Sequence, residues 1–473
     1  MLISLSWRNI WRNKTRSMIV VAAIAVGLFG GVMAVGILNG WINQRVHDSI
    51  YNEIAHVQIH NPEYLLNEET NLYINNTNEI LAVTDTMKDV KGVSARIRLF
   101  CMAQSDRATT GMVVMGINPT DEEKVSQIYR KIIAGEYVDT THQIPSIVIG
   151  SKAAEVLKLI NYRITTEKID SLLEQKLPEQ IVDSVKLLID KSYRKKSALL
   201  KDIKSILSKS DFQKYADRLA SVFSEYRLNK SLVLTIQSSN GELHYQLFKV
   251  RGIYQTSNSQ FDAANAFVDR SVLAKMAGLK PNQVHQVAII CNDMDKAQSV
   301  SNELAKLFPT VSVRSWKQTS PEIALYAQFG DFMGLIYVVI ILFALAFGII
   351  NTMMMSVLER IKELGMLMAI GMNKVKVFIM IMLESVMLSL TGGVVGMGLS
   401  AVILAILGHT GIDFSAWSEG FAALGFSSVV YPSIGIIDYI EITVLVVLTG
   451  IISSLWPARR ALKLNPIEAL REE

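Results

Sequence analysis

The sequence predicts a membrane protein built from four transmembrane α-helices and one large α+β extracytoplasmic domain that carries a helical insertion. Three observations predict it: four long apolar blocks, lysine and arginine gathered at particular ends of those blocks, and a soluble texture across residues 42–331. Half of the 473 residues are hydrophobic and only 19% are charged, a balance shifted away from soluble proteins. The formal net charge is +4. No basic stripe with interleaved aromatics accompanies it, which excludes a nucleic-acid-binding class.

The first apolar block, 17–41, runs from Ser17 to Trp41 without a charge. As a helix it measures about 37 Å, enough to cross a hydrocarbon core of about 30 Å with some tilt. It is too long for a signal peptide and ends in no small-residue cleavage site, so an uncleaved anchor is expected. Ahead of it, residues 1–16 place Trp7, Ile10 and Trp11 among Arg8, Arg12, Lys14 and Arg16. That pattern predicts an amphipathic helix at the membrane interface, with aromatics at headgroup depth and cations toward anionic lipid. Further spans are expected at 332–356, 378–407 and 434–456.

Lysine and arginine set the sidedness. They cluster in 1–16, in the connection 357–377 (Arg360, Lys362, Lys374, Lys376) and in the tail 457–473 (Arg459, Arg460, Lys463, Arg471). The connection 408–433 has none. The positive-inside rule therefore predicts cytoplasmic termini, a cytoplasmic 357–377 segment, and an external 408–433 loop and 42–331 domain.

Within that domain, strand-like alternation marks 57–59, 113–115 and 146–149, then 231–237, 243–250, 266–268 and 286–290. Residues 163–227 differ, being rich in Lys, Glu and Asp with Ile181, Val185, Leu188, Leu199, Ile203, Ile206 and Leu207 at helical spacing. This stretch reads as a helical insertion, either a solvated hairpin packed on the sheet or a docking arm for a partner. Cys101 and Cys291 read as two unpaired buried thiols, with a disulfide the alternative.

Glycines recur four apart in the spans: Gly27 with Gly31, Gly36 with Gly40, and Gly392 with Gly396. Such pairs allow close helix packing, within the chain or across a dimer seam. Glu384 falls inside the third span, where an acid must face protein or water. A hydrogen bond to a neighbouring helix end and a proton relay are its two readings. The stretch 358–378 combines charges at Glu359, Arg360, Lys362 and Glu363 with an apolar run and a break at Gly371-Met372-Asn373. Its apolar face needs a cover of lipid or protein. There is no phosphate-binding G-x-x-x-x-G-K-[ST] loop, no HExxH or CxxC metal pattern and no G-x-S-x-G elbow. The histidines, His56 and His60 among them, read as ordinary core or surface residues.

Five segments carry a family resemblance: SWRNIWRNKTRS (6–17), AHVQIHNPEY (55–64), VRGIYQTSNSQFDAANAFVD (250–269), ERIKELGMLMAIGMNK (359–374) and PARRALKLNPIEALREE (457–473). Through them the chain resembles the FtsX-like, or type VII, ABC transporter permeases, in particular the lipoprotein-releasing (LolC/LolE-like) permeases, with MacB-like relatives. The resemblance implies a non-catalytic subunit of the bacterial inner membrane that binds no cofactor itself. ATP and Mg would sit on a separate cytoplasmic ATPase, met through a coupling segment that includes Glu359, Arg360, Glu363, Gly365 and Gly371. It also implies a second permease, identical or paralogous, and ATP-driven mechanotransmission that extracts a lipoprotein or other amphiphile and hands it to a periplasmic chaperone. Export of a periplasmic peptide, drug or toxin, as in MacB-like relatives, is one alternative. Signalling to a periplasmic hydrolase, as in the cell-division relative, is another. The insertion departs from the family pattern.

Overall fold

The computed structural model describes residues 2–174 and 177–462 and divides into two compact units. One comprises residues 1–46, 325–418 and 427–473, the other 47–324 and 419–426. The expected tail beyond Leu462, with Lys463 and Arg471, lies outside the described residues.

The first unit is helical. An entry helix, Leu2–Ile10, ends before the first span, Lys14–Asp48, which continues as a π-helical turn over Ser49–Ile54. The basic stretch expected as one interfacial helix is thus divided: Lys14 already belongs to the span. The second span, Pro321–Glu359, is followed by a short helix, Ile361–Ala369, then the third span, Lys374–Thr410, and the fourth, Ile436–Leu462. All four spans are long and apolar enough to cross a membrane. A helix satisfies its backbone groups internally, which is why such sequences take this form in lipid.

Each span buries one stripe and leaves large apolar side chains on the other. The first span buries Val20, Ile24, Leu28 and Val32, four apart, and the second buries Leu342, Leu345, Ile349 and Met353. On the second span Phe343 and Phe347 remain about two-thirds exposed, as a lipid-facing surface requires. The third and fourth spans meet through small residues: Ser385 Oγ donates to the Gly450 carbonyl at 3.1 Å.

The second unit is an α/β domain around one mixed sheet. Its strands are β1 (Val57–His60), β2 (Val90–Gln104), β3 (Thr109–Ile117), β4 (Ile132–Gly135) and β5 (Ser146–Gly150), then, after the insertion, β9 (Ser231–Gln237), β10 (Leu243–Tyr254), β11 (Asn265–Asp269), β12 (Gln286–Cys291) and β13 (Ser312–Ser315). The order is β13-β1-β12-β2-β3-β11-β5-β10-β4, with β9 pairing both β10 and β2. Pairing is antiparallel except where β5 meets β10 and β3 meets β11. The expected strands lie within these elements. β2 was hidden by its charges, and Arg96 shows why they are tolerated. Arg96 is buried but grips the buried Glu122 through two bonds of 2.6 and 2.9 Å, while Ser94 adds a third to the same carboxylate at 2.8 Å. A buried charge is stable only when paired in this way. Cys101 and Cys291 are free and buried. Burial pushes their thiols up to about 12 and about 11, which leaves them unreactive.

The insertion is not a hairpin lying on the sheet. Strands β6 (Ile160–Arg163), β7 (Ser192–Tyr193) and β8 (Ser224–Tyr226) form a separate sheet, β7-β6-β8. Four helices, Thr166–Glu174, Glu179–Lys186, Lys196–Ile206 and Lys209–Phe223, pack with it around a core of their own. Leu172, Val182, Leu199, Leu219 and Phe223 are fully buried there. The pairing Ile160↔Tyr226 brings the two ends of the module together and sets its limits at 160 and 226.

Candidate functional site: a charged cluster at the short helix

The short helix exists because of two local breaks. Arg360, at φ −103° and ψ 16°, interrupts the helix that ends at Glu359. At the other end Gly371 takes φ +102°, which a side chain would resist. Asn373 then caps the third span, its Oδ1 accepting from the Val375 amide at 3.0 Å.

Around this helix three charged pairs join into one cluster. Glu384 is buried on the third span and accepts from Asn9 Nδ2 of the entry helix at 2.8 Å. Arg360 Nη1 donates to both Glu384 oxygens at 3.2 and 3.3 Å, and its Nε reaches Glu363 at 3.2 Å. Arg12 pairs with the other Glu363 oxygen at 2.5 Å. Partial burial would raise the Glu363 carboxyl, but hydrogen bonds from Arg12 and Arg360 outweigh it and hold it below the usual carboxylate range. Ser6 Oγ, donating to the Met380 carbonyl at 3.2 Å, adds a second tie between entry helix and third span. The cluster borders a cavity of about 240 Å³ lined also by Ser17, Thr352 and Ser356.

The expected site residues therefore fall into distinct places. Arg360 and Glu363 turn into the cluster with Glu384, and Gly365 is buried. Glu359 closes the second span and is exposed, as is Gly371. Large apolar side chains are prominent on the outward face of this region: Leu358, Met366, Ile370 and Val375 are 44%, 51%, 79% and 59% exposed, beside the exposed Lys362, Lys374 and Lys376. Of Glu384's two readings, the structure shows hydrogen bonds to a neighbouring helix and a cation. Asn9 and Arg12 were not singled out as partners of this segment; more than 340 residues separate them from it, and no local periodicity signals such a contact.

The glycines sit in seams within the chain. A Cβ on Gly27 or Gly31 would come within 2.8 Å of Leu345 and 2.9 Å of Ile341 on the second span. One on Gly392 or Gly396 would come within 2.7 Å of Ile24 Cβ and 2.6 Å of the Ala25 carbonyl oxygen on the first. The third span thus lies against the backbone of the first.

Among the described residues, Glu136, Asp139 and His142 of the domain bring ligand atoms within 4.8 Å of one another. Asp139 already accepts from the Thr141 amide and hydroxyl at 2.9 and 2.7 Å, which accounts for it as a turn residue.

Four helices long and apolar enough to cross a membrane, with an entry helix before the first and a short helix between the second and third, define a membrane-protein architecture. Residues 335–466 match the FtsX-like permease C-terminal family. Within that stretch the chain is similar to the FtsX-like permeases. It is 37% identical over 126 residues to a macrolide export ATP-binding/permease protein MacB of Chlorobium luteolum, which covers 27% of this chain and 16% of that protein. The MacB of Neisseria meningitidis serogroup A gives 35% over 126 residues, 27% of this chain and 17% of the relative. An uncharacterized ABC transporter permease of Methanocaldococcus jannaschii is 28% identical over 236 residues, 48% of this chain and 55% of the relative. The chain thus spans about a sixth of the MacB proteins it matches and about half of the archaeal one. Among solved structures, the extracellular domain of the noncanonic ABC-type transporter YknZ aligns with 55% of this chain and 99% of its own, at 14% identity and TM-score 0.28. The periplasmic region of MacB from Actinobacillus actinomycetemcomitans aligns with 57% and 92%, at 12% identity and TM-score 0.28.

Proposed function

We propose that this chain is the membrane subunit of an ABC transporter that releases lipoproteins from the inner membrane, driven by a separate cytoplasmic ATPase that binds ATP and Mg. Both termini and the short helix face the cytoplasm in this reading, and the α/β domain lies outside. The permease works as a pair with an identical or paralogous copy and passes its cargo to a periplasmic chaperone. The observation that carries it is the short helix Ile361–Ala369: its Glu363 and the preceding Arg360 are tied inward, and Met366 and Ile370 are left outward between two spans. Such an apolar tip needs a protein cover, and a motor docked there would push directly on the second span. That span is one helix of 39 residues, about 58 Å long.

MacB-type export of a periplasmic compound is the second reading, favoured by the names of the curated relatives. One experiment tests the assignment. The chain is purified from its native membranes with whatever ATPase accompanies it, beside a Met366→Glu/Ile370→Glu variant. The expected result is an ATPase that copurifies with the parent and is lost from the variant, and acylated protein among the bound material. An ATPase retained by the variant refutes the docking site. Bound material free of acylated protein, with turnover stimulated by soluble compounds, replaces the cargo by that of the second reading.

A further inference from the structure

The connection between the third and fourth spans is long for its task, and its tip has a place of its own. At its base, β14 (Ile412–Asp413) pairs with β15 (Val429–Val430) inside the helical unit. Its tip, residues 419–426, belongs instead to the α/β unit. There Ser259 Oγ donates to the Ala422 carbonyl at 3.0 Å and Gln260 Nε2 to the Ala423 carbonyl at 3.2 Å. Lys196 of the inserted module approaches Glu419 at 3.9 Å.

The two residues just before Ser259 hold a second piece of chain. Ser257 Oγ donates to Asp48 at 2.6 Å and Asn258 Nδ2 to Glu53 at 3.1 Å, both in the helical exit of the first span. Asn258 also caps the helix Ser259–Ala264 through the Gln260 and Phe261 amides, which fixes the direction of Ser259 and Gln260. The last carbonyls of the tip helix Ser418–Ala423 have no intrahelical donor and take partners from outside it: Ala422 accepts from the Gly425 amide at 3.1 Å as well as from Ser259, and Ala423 accepts from Gln260.

We infer that residues 419–426 form a strap, gripped by Ser259 and Gln260, that ties the third-to-fourth-span connection to the domain at the same junction, 257–260, that holds the exit of the first span. The domain is then attached through more than the two helices that enter and leave it. Its mechanical role rests on the transporter reading: a shift of the third and fourth spans pulls on the junction, and the strap stays closed through the ATP cycle.

Gln260 and Ala423 are exposed and the two native thiols are buried, so engineered cysteines report cleanly. Gln260→Cys/Ala423→Cys in the full chain, treated in membranes with a short reducible bis-maleimide, is expected to crosslink at least tenfold above either single variant. A yield at the single-variant level, with both cysteines reactive to a monofunctional maleimide, overturns the strap. Independently, Ser259→Ala/Gln260→Ala should speed amide exchange across 419–426 about tenfold; unchanged exchange overturns the grip. ATP turnover of the copurified ATPase is then compared before and after the crosslink is cleaved. Values within twofold are expected. A tenfold loss restored on cleavage shows that the tip must let go, and overturns the closed strap. Absence of any copurifying ATPase counts against the transporter reading and leaves the crosslinking result standing.

Discussion

Replacing Glu384 with alanine removes the acceptor of three hydrogen bonds at once, one from Asn9 and two from Arg360. Deleting one partner of a buried ion pair costs about 3–5 kcal/mol when the other is stranded. Arg360 is not fully stranded: it keeps Glu363 at 3.2 Å, and 20% of its side chain is exposed. About 2 kcal/mol is the expected loss at the short helix, with about 1 kcal/mol at the entry helix for the bond from Asn9. Local opening free energies set amide exchange rates. Exchange should therefore accelerate about thirtyfold across Ile361–Ala369 and about fivefold across Leu2–Ile10, with the α/β domain unchanged. Hydrogen–deuterium exchange of the detergent-purified chain measures all three regions together. Glu384→Gln sharpens the test, because the amide oxygen can still accept from Asn9 while the charge is gone. In that variant the entry helix should exchange at the parent rate and the short helix should not. Parent rates in both helices of Glu384→Ala would refute the cluster as the element that holds them.

Three further outcomes are expected. Burial pushes the Asp262 carboxyl up to about 6 despite the Thr256 and Ser151 hydrogen bonds, so its protonated form stabilises the folded state. That contribution is present at low pH and is lost as pH rises through about 6. The stability of the parent relative to Asp262→Asn should fall by about 1.4 kcal/mol from pH 5 to pH 7.5, read as denaturant-induced exposure of Cys101 and Cys291 to a pyridyl disulfide. A difference that is flat or rises with pH contradicts it. Gly396→Val would overpack the first-to-third-span seam at a cost of about 1–3 kcal/mol and lower the melting temperature. Gly348→Ala, with nothing within 4 Å of the added carbon, should not; equal melting of the two variants refutes the seam. Deleting 160–226 and joining the ends by a short linker should leave the rest of the domain folded, because the Leu159 carbonyl and the Arg227 amide already bond at 2.8 Å. Loss of expression would show that the module supports the sheet.

What could be read in the sequence depended on whether the signal was periodic. The spans show themselves as unbroken apolar blocks, and β9 begins and ends at Ser231 and Gln237 as the alternation predicts. β2 did not show itself, because Lys91, Arg96 and Arg98 break the pattern, and the pairing that neutralises Arg96 comes from Glu122, a residue outside the strand. The insertion was legible as helical but not as a module. Its core needs β6 and β8, strands of four and three residues too short to register. Glu384 was legible as an anomaly, whereas its partners Asn9, 375 residues away, and Arg360, 24 residues away beyond the short helix, carry no periodic signal that ties them to it.

The cluster also decides how the short helix would speak to a motor. From composition, its charges are the natural contact for a soluble partner, and Glu359, Arg360 and Glu363 would be the residues to mutate. In the fold, Arg360 and Glu363 are committed to Glu384 and Arg12. Changing them would disturb how the helix is held and the contact it makes at the same time, and lost ATPase binding would have two explanations. Met366 and Ile370 are exposed and make no bond in the cluster, so glutamate there alters the outward face and leaves the cluster's bonds intact. The two sets of variants separate two roles. Met366→Glu/Ile370→Glu should abolish motor binding at parent exchange rates in Ile361–Ala369, whereas Glu384→Ala should raise those rates and weaken binding only as far as the helix is displaced. If the outward pair leaves binding intact while Glu384→Ala abolishes it, the motor reads the charged cluster itself, and the apolar tip faces lipid.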